Sequence, residues 1–180
     1  MNVIGVASGK GGVGKTATSV NLAVSLALRG QKVMLFDADL GLANAQLALG
    51  CTTEFNFSHV LSGEKTLDEI IVTTRQGIRL VPGASGVQKL ASLGANEAAA
   101  IVQVFSSIEE EIDYLIVDSA AGISNSVLTF MQASQRRLIV LRDEPSSIAD
   151  AYGTIKVMVQ NQKLDEIYLI PNAVESEAHG

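Results

Sequence analysis

Tryptophan is absent from the 180-residue chain, aromatic side chains make up 4% of it, and cysteine occurs once. So few aromatics argue against stacking platforms for single-stranded nucleic acid. A lone Cys51 can form no internal disulfide and no CxxC metal pair, which suits a reducing, cytoplasmic setting. Basic charge is also short. The 13 Lys and Arg face 19 Asp and Glu, a net charge of −6, and no run of like charge exceeds Glu109-Glu110-Glu111. Neither that balance nor the scattered Arg75, Arg79 and Arg136-Arg137 makes a clear nucleic-acid footprint. No apolar stretch approaches the ~20 residues of a membrane span. The opening MNVIGV is preceded by no basic segment and stops at Ser8-Gly9-Lys10, too early for a signal peptide.

What is present is enough apolar material, 47%, for a core that needs no disulfide or structural metal. Short β-branched runs alternate with longer stretches of helical period along the chain. Strands are expected at residues 2–7, 32–37, 78–82, 114–118, 138–142 and 167–172, most of them nearly continuous apolar runs, as in parallel strands covered on both faces. A helix over 16–28 puts Ala17, Val20, Val24, Ala27 and Leu28 on one face and has Gly30 where a left-handed terminator belongs. A second is expected over 96–112. A third, over 147–160, carries Ile148, Ala151, Tyr152, Ile155 and Val159 on one stripe, with Ser147 and Asp150 in capping-box spacing. Residues 83–95, rich in Gly, Ala and Ser, read as a mobile connection. The expectation is an α/β fold: one domain over 1–180 with a doubly wound, mostly parallel sheet, helices on both faces and ligands beyond the carboxyl ends of the strands.

At the first of those ends stands Gly9-Lys10-Gly11-Gly12-Val13-Gly14-Lys15-Thr16, a full GxxxxGK[ST] match between a strand and a helix. Glycines let the backbone curl so that successive N–H groups surround phosphate oxygens at the positive end of a helix. Lys15 supplies a point charge for the β and γ phosphates, and the Thr16 hydroxyl is placed for Mg²⁺. The cofactor-binding set is Gly9, Lys10, Gly11, Gly12, Val13, Gly14, Lys15 and Thr16. One triphosphate has little use for two loop lysines, so Lys10 is available to a neighbouring subunit. The second strand ends in Asp37-Ala38-Asp39, two carboxylates close enough to share a site. The strand over 114–118 ends in Asp118 and is followed by Ser119-Ala120-Ala121-Gly122. No NKxD tetrapeptide for guanine occurs, which favours ATP.

KGGVGKT resembles the deviant Walker A motif of the MinD/ParA class of P-loop ATPases. The resemblance implies a MinD-like fold and an ATP-dependent sandwich homodimer in which Lys10 acts across the interface. It makes the Asp37 region switch I, with Asp39 positioning the attacking water and Asp37 near the hydration shell of Mg²⁺. It makes Asp118 the Walker B aspartate that holds Mg²⁺ through water, with Gly122 following the γ-phosphate. Lys10, Lys15 and Asp39 are then the catalytic set, and Thr16, Asp37 and Asp118 the metal set. By the same resemblance Asn172 contacts adenine and Glu144 faces nucleotide at the dimer interface.

The stretches DADLGLANAQLALG, FSHVLSGEKTLDEI, VDSAAGIS and DEPSSIADAYGTIK are most similar to the flagellar-number regulators called FlhG or FleN. That branch implies an ATPase that controls flagellar number or placement, with an FlhF-type GTPase or a flagellar transcription activator as partner.

The chain departs from the family in three places. No DQAxxLR-type segment precedes the first strand, Ala17 replaces a common second threonine, and the chain stops at Gly180. Relatives continue to an amphipathic membrane-targeting helix, so the domain is expected to be truncated and membrane contact, peripheral at most, to lie outside it. The alternatives are a non-hydrolysing nucleotide-binding scaffold and a ParA-like partitioning ATPase. An iron–sulfur relative needs two cluster cysteines per subunit, and one Cys51 excludes it. Cys51 is expected to be structural, and His59 and His179 to be surface residues.

Overall fold

The computed structural model describes residues 1–39, 44–83, 101–105, 108 and 111–176. The described strands are β1 (Asn2–Ser8), β2 (Val33–Ala38), β3 (Val72–Thr73), β4 (Arg79–Val81), β5 (Tyr114–Ala121), β6 (Arg136–Arg142) and β7 (Ile167–Asn172). They form one sheet in the order β3-β4-β2-β5-β1-β6-β7. All neighbours are parallel except the two-residue edge strand β3, which pairs antiparallel with β4. All six expected strands are there. The seventh, β3, is too short to leave a period in the sequence.

The described helices are α1 (Lys15–Leu28), the short α2 (Ala45–Ala48), α3 (Phe57–Leu61) and α4 (Leu67–Ile70), then α5 (Asn125–Ala133) and α6 (Pro145–Gln162), with residues 101–105 also helical. Alternate side chains along each strand feed two cores. Val6, Val33, Leu35 and Ile116 pack on the α1 face, while Ala7, Met34, Phe36, Leu115, Val117 and Ile139 pack with α5 and α6 on the other. This is the doubly wound arrangement. Among the described residues no helix is long and apolar enough to cross a membrane.

Several helices differ from the expected ones in a physically readable way. Around α1 the buried row is Lys15, Ser19, Val20 and Ala23, while Ala17 and Leu28 are exposed. The helix turns small and polar residues inward at its start because that end abuts charged groups. Gly30 ends it at φ 81°, as expected. α6 starts at Pro145, whose fixed φ suits a first helical position. The Ser147–Asp150 capping box therefore does not form; the buried Ser147 hydroxyl instead accepts from the Arg142 backbone N–H at 2.9 Å. The buried row of α6 is Ser147, Ala151, Thr154 and Met158, so Ile148, Tyr152 and Val159 face outward, 48%, 68% and 47% exposed.

The helix expected over 96–112 is seen at 101–105, and Ile108 and Ile112 are not helical. Residues 84–95 of the expected connection, 96–100 of that helix, and His179 lie outside the described residues. His59 is half-buried rather than a surface residue. Its Nδ1 closes a capping box with the Asn56 backbone N–H, and its ring meets Phe55 edge-on.

Phe36, 1% exposed, sits at the centre of an aromatic cluster with ring centroids 5.0 Å from Phe57, 4.7 Å from Phe105 and 5.8 Å from Phe130. It immediately precedes Asp37, so this packing fixes where β2 ends. Phe36→Ala is expected to cost about 3–5 kcal/mol of folding stability, read as a lower midpoint in guanidinium denaturation followed by circular dichroism.

Candidate functional site

β5 lies between β1 and β2, and its register sets Asp118 beside Asp37 of β2 and Val6 of β1. The loop after β1 begins one residue beyond Ser8, whose buried hydroxyl donates to the Lys10 carbonyl at 2.9 Å. Gly9 packs against α6 so closely that a Cβ would lie 2.4 Å from the Asp150 carbonyl. Gly14, at φ 95°, is the N-cap of α1 and provides no side-chain cap. The first-turn amides of α1 therefore have no capping oxygen, and no acidic residue stands in that turn. The helix opens on a ring of donors with a positive dipole end, the physical requirement for an anion site.

Lys15 and Asp118 form a buried ion pair at this opening, Nζ to Oδ1 at 2.9 Å, with side-chain exposures of 8% and 0%. The Ser19 hydroxyl, one helical turn further along α1, reaches the same Oδ1 at 2.9 Å. The other oxygen, Asp118 Oδ2, is buried and has no hydrogen-bond partner. An orphaned carboxylate oxygen is costly away from water, and it is a donor that a hard cation or its bound water would satisfy. The residues present therefore fit a divalent cation here, with Thr16 nearby in the first turn of α1.

Asp37, 1% exposed, spends its oxygens on backbone. Oδ1 accepts from the Asp39 N–H at 3.2 Å, and Oδ2 from the Asn44 and Ala45 N–H groups at 2.8 and 2.9 Å. The carboxylate thus accepts from residues on both sides of 40–43, which lie outside the described residues. Asp39 is half-buried beside it. Lys10 projects from the loop but meets its own chain: Nζ is 3.1 Å from Ser146 Oγ and 3.5 Å from Glu144 Oε2. Glu144, the N-cap residue of α6, also pairs with Arg142 at 3.4 Å. Asn172, at the end of β7, donates from Nδ2 to the Val13 carbonyl at 2.8 Å, against the face of Gly14.

The structure thus gathers Gly9 to Thr16, Asp37, Asp39, Asp118 and Asn172 around one sheet end, with Lys10 and Glu144 paired at its side. Ser19, Ser146 and Arg142 were not found by motif. The signal for Ser19 was its spacing, four residues after Lys15 on a helix and hence on the same face. Arg137, considered for a basic surface, is buried. Its guanidinium donates to the carbonyls of Met131 and Ser134 at the end of α5 and of Asp165 just before β7, and burial lowers its pKa.

Burial raises the Asp37 pKa from 3.8 to about 7; the charge of Asp118 adds to the rise, while the N–H groups of Ala45 and Asp39 and the Lys15 charge oppose it. A carboxyl that holds its proton more tightly when folded contributes stability below its ordinary pKa and loses it as pH rises through about 7. Stability from this group is expected to fall between pH 4 and 7, by at most about 4 kcal/mol at about 1.4 kcal/mol per pH unit. Urea melts at pH 5 and pH 8 check it: Asp37→Asn is expected to show the shallower pH dependence.

A family model described as AAA domain matches residues 1–168. The antiactivator FleN of Pseudomonas aeruginosa is 43% identical over the whole chain, which spans 64% of that protein. The flagellum site-determining protein YlxH of Helicobacter pylori is 42% identical over 98% of the chain and 60% of its own length. This chain therefore spans less than two thirds of these curated relatives. Among solved structures, the septum site-determining protein MinD of Pyrococcus horikoshii, complexed with Mg-ADP, superposes with a TM-score of 0.81 at 29% identity over 99% of this chain and 73% of that one. MinD in the MinC:MinD complex of Aquifex aeolicus gives 0.81 at 30% identity, covering 97% and 70%. A family match over nearly the whole length, on this strand order and this phosphate loop, means that the chain belongs to the AAA-domain family, in its MinD/ParA class of P-loop ATPases.

Proposed function

We propose that this chain is a nucleotide-operated switch that binds ATP with Mg²⁺, pairs with a second copy and hydrolyses ATP to ADP and phosphate. The observation that carries the reading is the buried Lys15–Asp118 pair with an unpartnered Oδ2, set against the uncapped start of α1. The Gly9 to Thr16 backbone cradles the phosphates, and Lys15 exchanges Asp118 for the β and γ oxygens. Thr16, Asp118 and Asp37 are the residues that would hold Mg²⁺. When bound, the ion draws charge from the phosphoryl oxygens.

Asp39 orients a water whose oxygen attacks the γ phosphorus as the bond to the ADP oxygen breaks, and the water's proton passes to phosphate. Such transfer is mostly positioning and charge stabilisation, which a carboxylate on a held loop can supply. Lys10, Glu144 and Asn172 complete the nucleotide surroundings, with Lys10 turned to the partner's phosphates in the dimer. The similarity to FleN and YlxH supports a role in setting flagellar number or placement, with an FlhF-type GTPase or a flagellar transcription activator as partner. Burial of Arg137 takes one cation from the surface that a ParA-like partitioning role would need.

Size-exclusion chromatography with ADP or with ATP and Mg²⁺, beside a phosphate-release assay, tests the proposal. A shift from monomer to dimer with ATP alone, with slow turnover, is expected. Asp39→Ala should keep the ATP dimer and lose about 10²-fold or more in phosphate release; a normal rate removes Asp39 from its role. Lys10→Ala should bind nucleotide without dimerising, and an intact ATP dimer would return Lys10 to a local role with Glu144.

A further inference from the structure

Ser19 lies on α1 with no solvent exposure, in a place where a small apolar residue would fill the same space. Its hydroxyl has two acceptors in reach, Asp118 Oδ1 at 2.9 Å and the Lys15 carbonyl at 3.1 Å, and one proton to give. The proton belongs on the carboxylate, because a hydrogen bond to a charged acceptor is the stronger one. If it went to the carbonyl, the hydroxyl would turn a lone pair on a buried anion. Asp118 Oδ1 thus receives two donors, the Lys15 ammonium and the Ser19 hydroxyl, while Oδ2 receives none. The side chain is fixed by one oxygen and presents the other.

The two donors differ in permanence. Lys15 is a long, flexible cation whose charge is wanted by phosphate once nucleotide arrives. Ser19 is short and sits on the helix itself, and its one other acceptor, the Lys15 carbonyl, is neutral and so the weaker one. When the ammonium leaves Oδ1, Ser19 is the contact of this pair that still holds the carboxylate at the same angle.

We propose that Ser19 is a positioning residue for the cation: it holds Asp118 so that Oδ2 faces the Mg²⁺ of a bound nucleotide. This rests on the nucleotide-switch reading above and adds the residue that sets its metal-binding carboxylate. Outer partners that orient a ligating carboxylate change metal affinity by about 10–100-fold when removed.

The test is a titration with ADP, in which neither hydrolysis nor ATP-driven pairing intervenes. The quantity read is the ratio of ADP dissociation constants in EDTA and in Mg²⁺, measured by calorimetry on the whole chain. Ser19→Ala, and Ser19→Cys as a near-isosteric second variant with a weak donor, are expected to bind ADP in EDTA as the parent does. Their gain from Mg²⁺ should be about 10–100-fold smaller, with melting temperatures close to the parent's. Ser19→Thr keeps the hydroxyl and should keep the gain.

A parent-like Mg²⁺ gain in whichever of the Ala and Cys variants folds overturns the assignment. So does an equal loss in a Thr variant that melts like the parent, since that places the effect in packing. A parent chain that binds ADP no better with Mg²⁺ than with EDTA brings down the nucleotide-switch reading itself, and Ser19 with it.

Discussion

Asp118 holds a carboxylate at a point with no solvent contact, and the carboxyl end of the sheet is organised around that charge. Charge in such a place persists only with partners, because desolvation is not recovered otherwise. Lys15 neutralises it from the first turn of α1, Ser19 adds a hydrogen bond one turn on, and one oxygen is left over. The strand order follows the same need. Inserting β5 between β1 and β2 brings Asp118 level with Asp37 and within reach of the loop after β1, so three segments far apart in sequence meet where their charges must be reconciled.

Much of this was legible in the sequence, for reasons particular residues show. The P-loop is a local motif whose geometry lies in its own glycines, and strands such as VMLFDA and YLIVDS are apolar on both faces because both faces are covered. What stayed hidden depends on neighbours far away in the chain. The period of α6 was right, but its face was off by about one residue, 100° of helix rotation. Ser147, Ala151, Thr154 and Met158 went inward, the helix meets the Gly9 backbone at Asp150, and Ile148 and Tyr152 point outward. No periodicity argument contains that contact. β3, at two residues, and the tether from Asn172 to the P-loop backbone are likewise contacts without a local signature.

Lys10 is held within the single chain by a weak electrostatic contact. In the single chain its ammonium is met by Glu144 and Ser146, with Arg142 on the far side of Glu144, all partly exposed. Exposed pairs of this kind are worth about 0–1 kcal/mol each. That is weak enough to be given up for a more strongly charged acceptor.

The hydrogen bond from Asn172 to the Val13 carbonyl joins the outermost strand to the most sensitive turn of the molecule. Among the described residues β7 has one neighbouring strand, β6, and that pairing runs to Arg142 opposite Asn172. One side-chain amide thus ties the phosphate-loop backbone at Val13 to the rim of the sheet, so the position of that carbonyl depends on a strand residue 159 positions further along the chain.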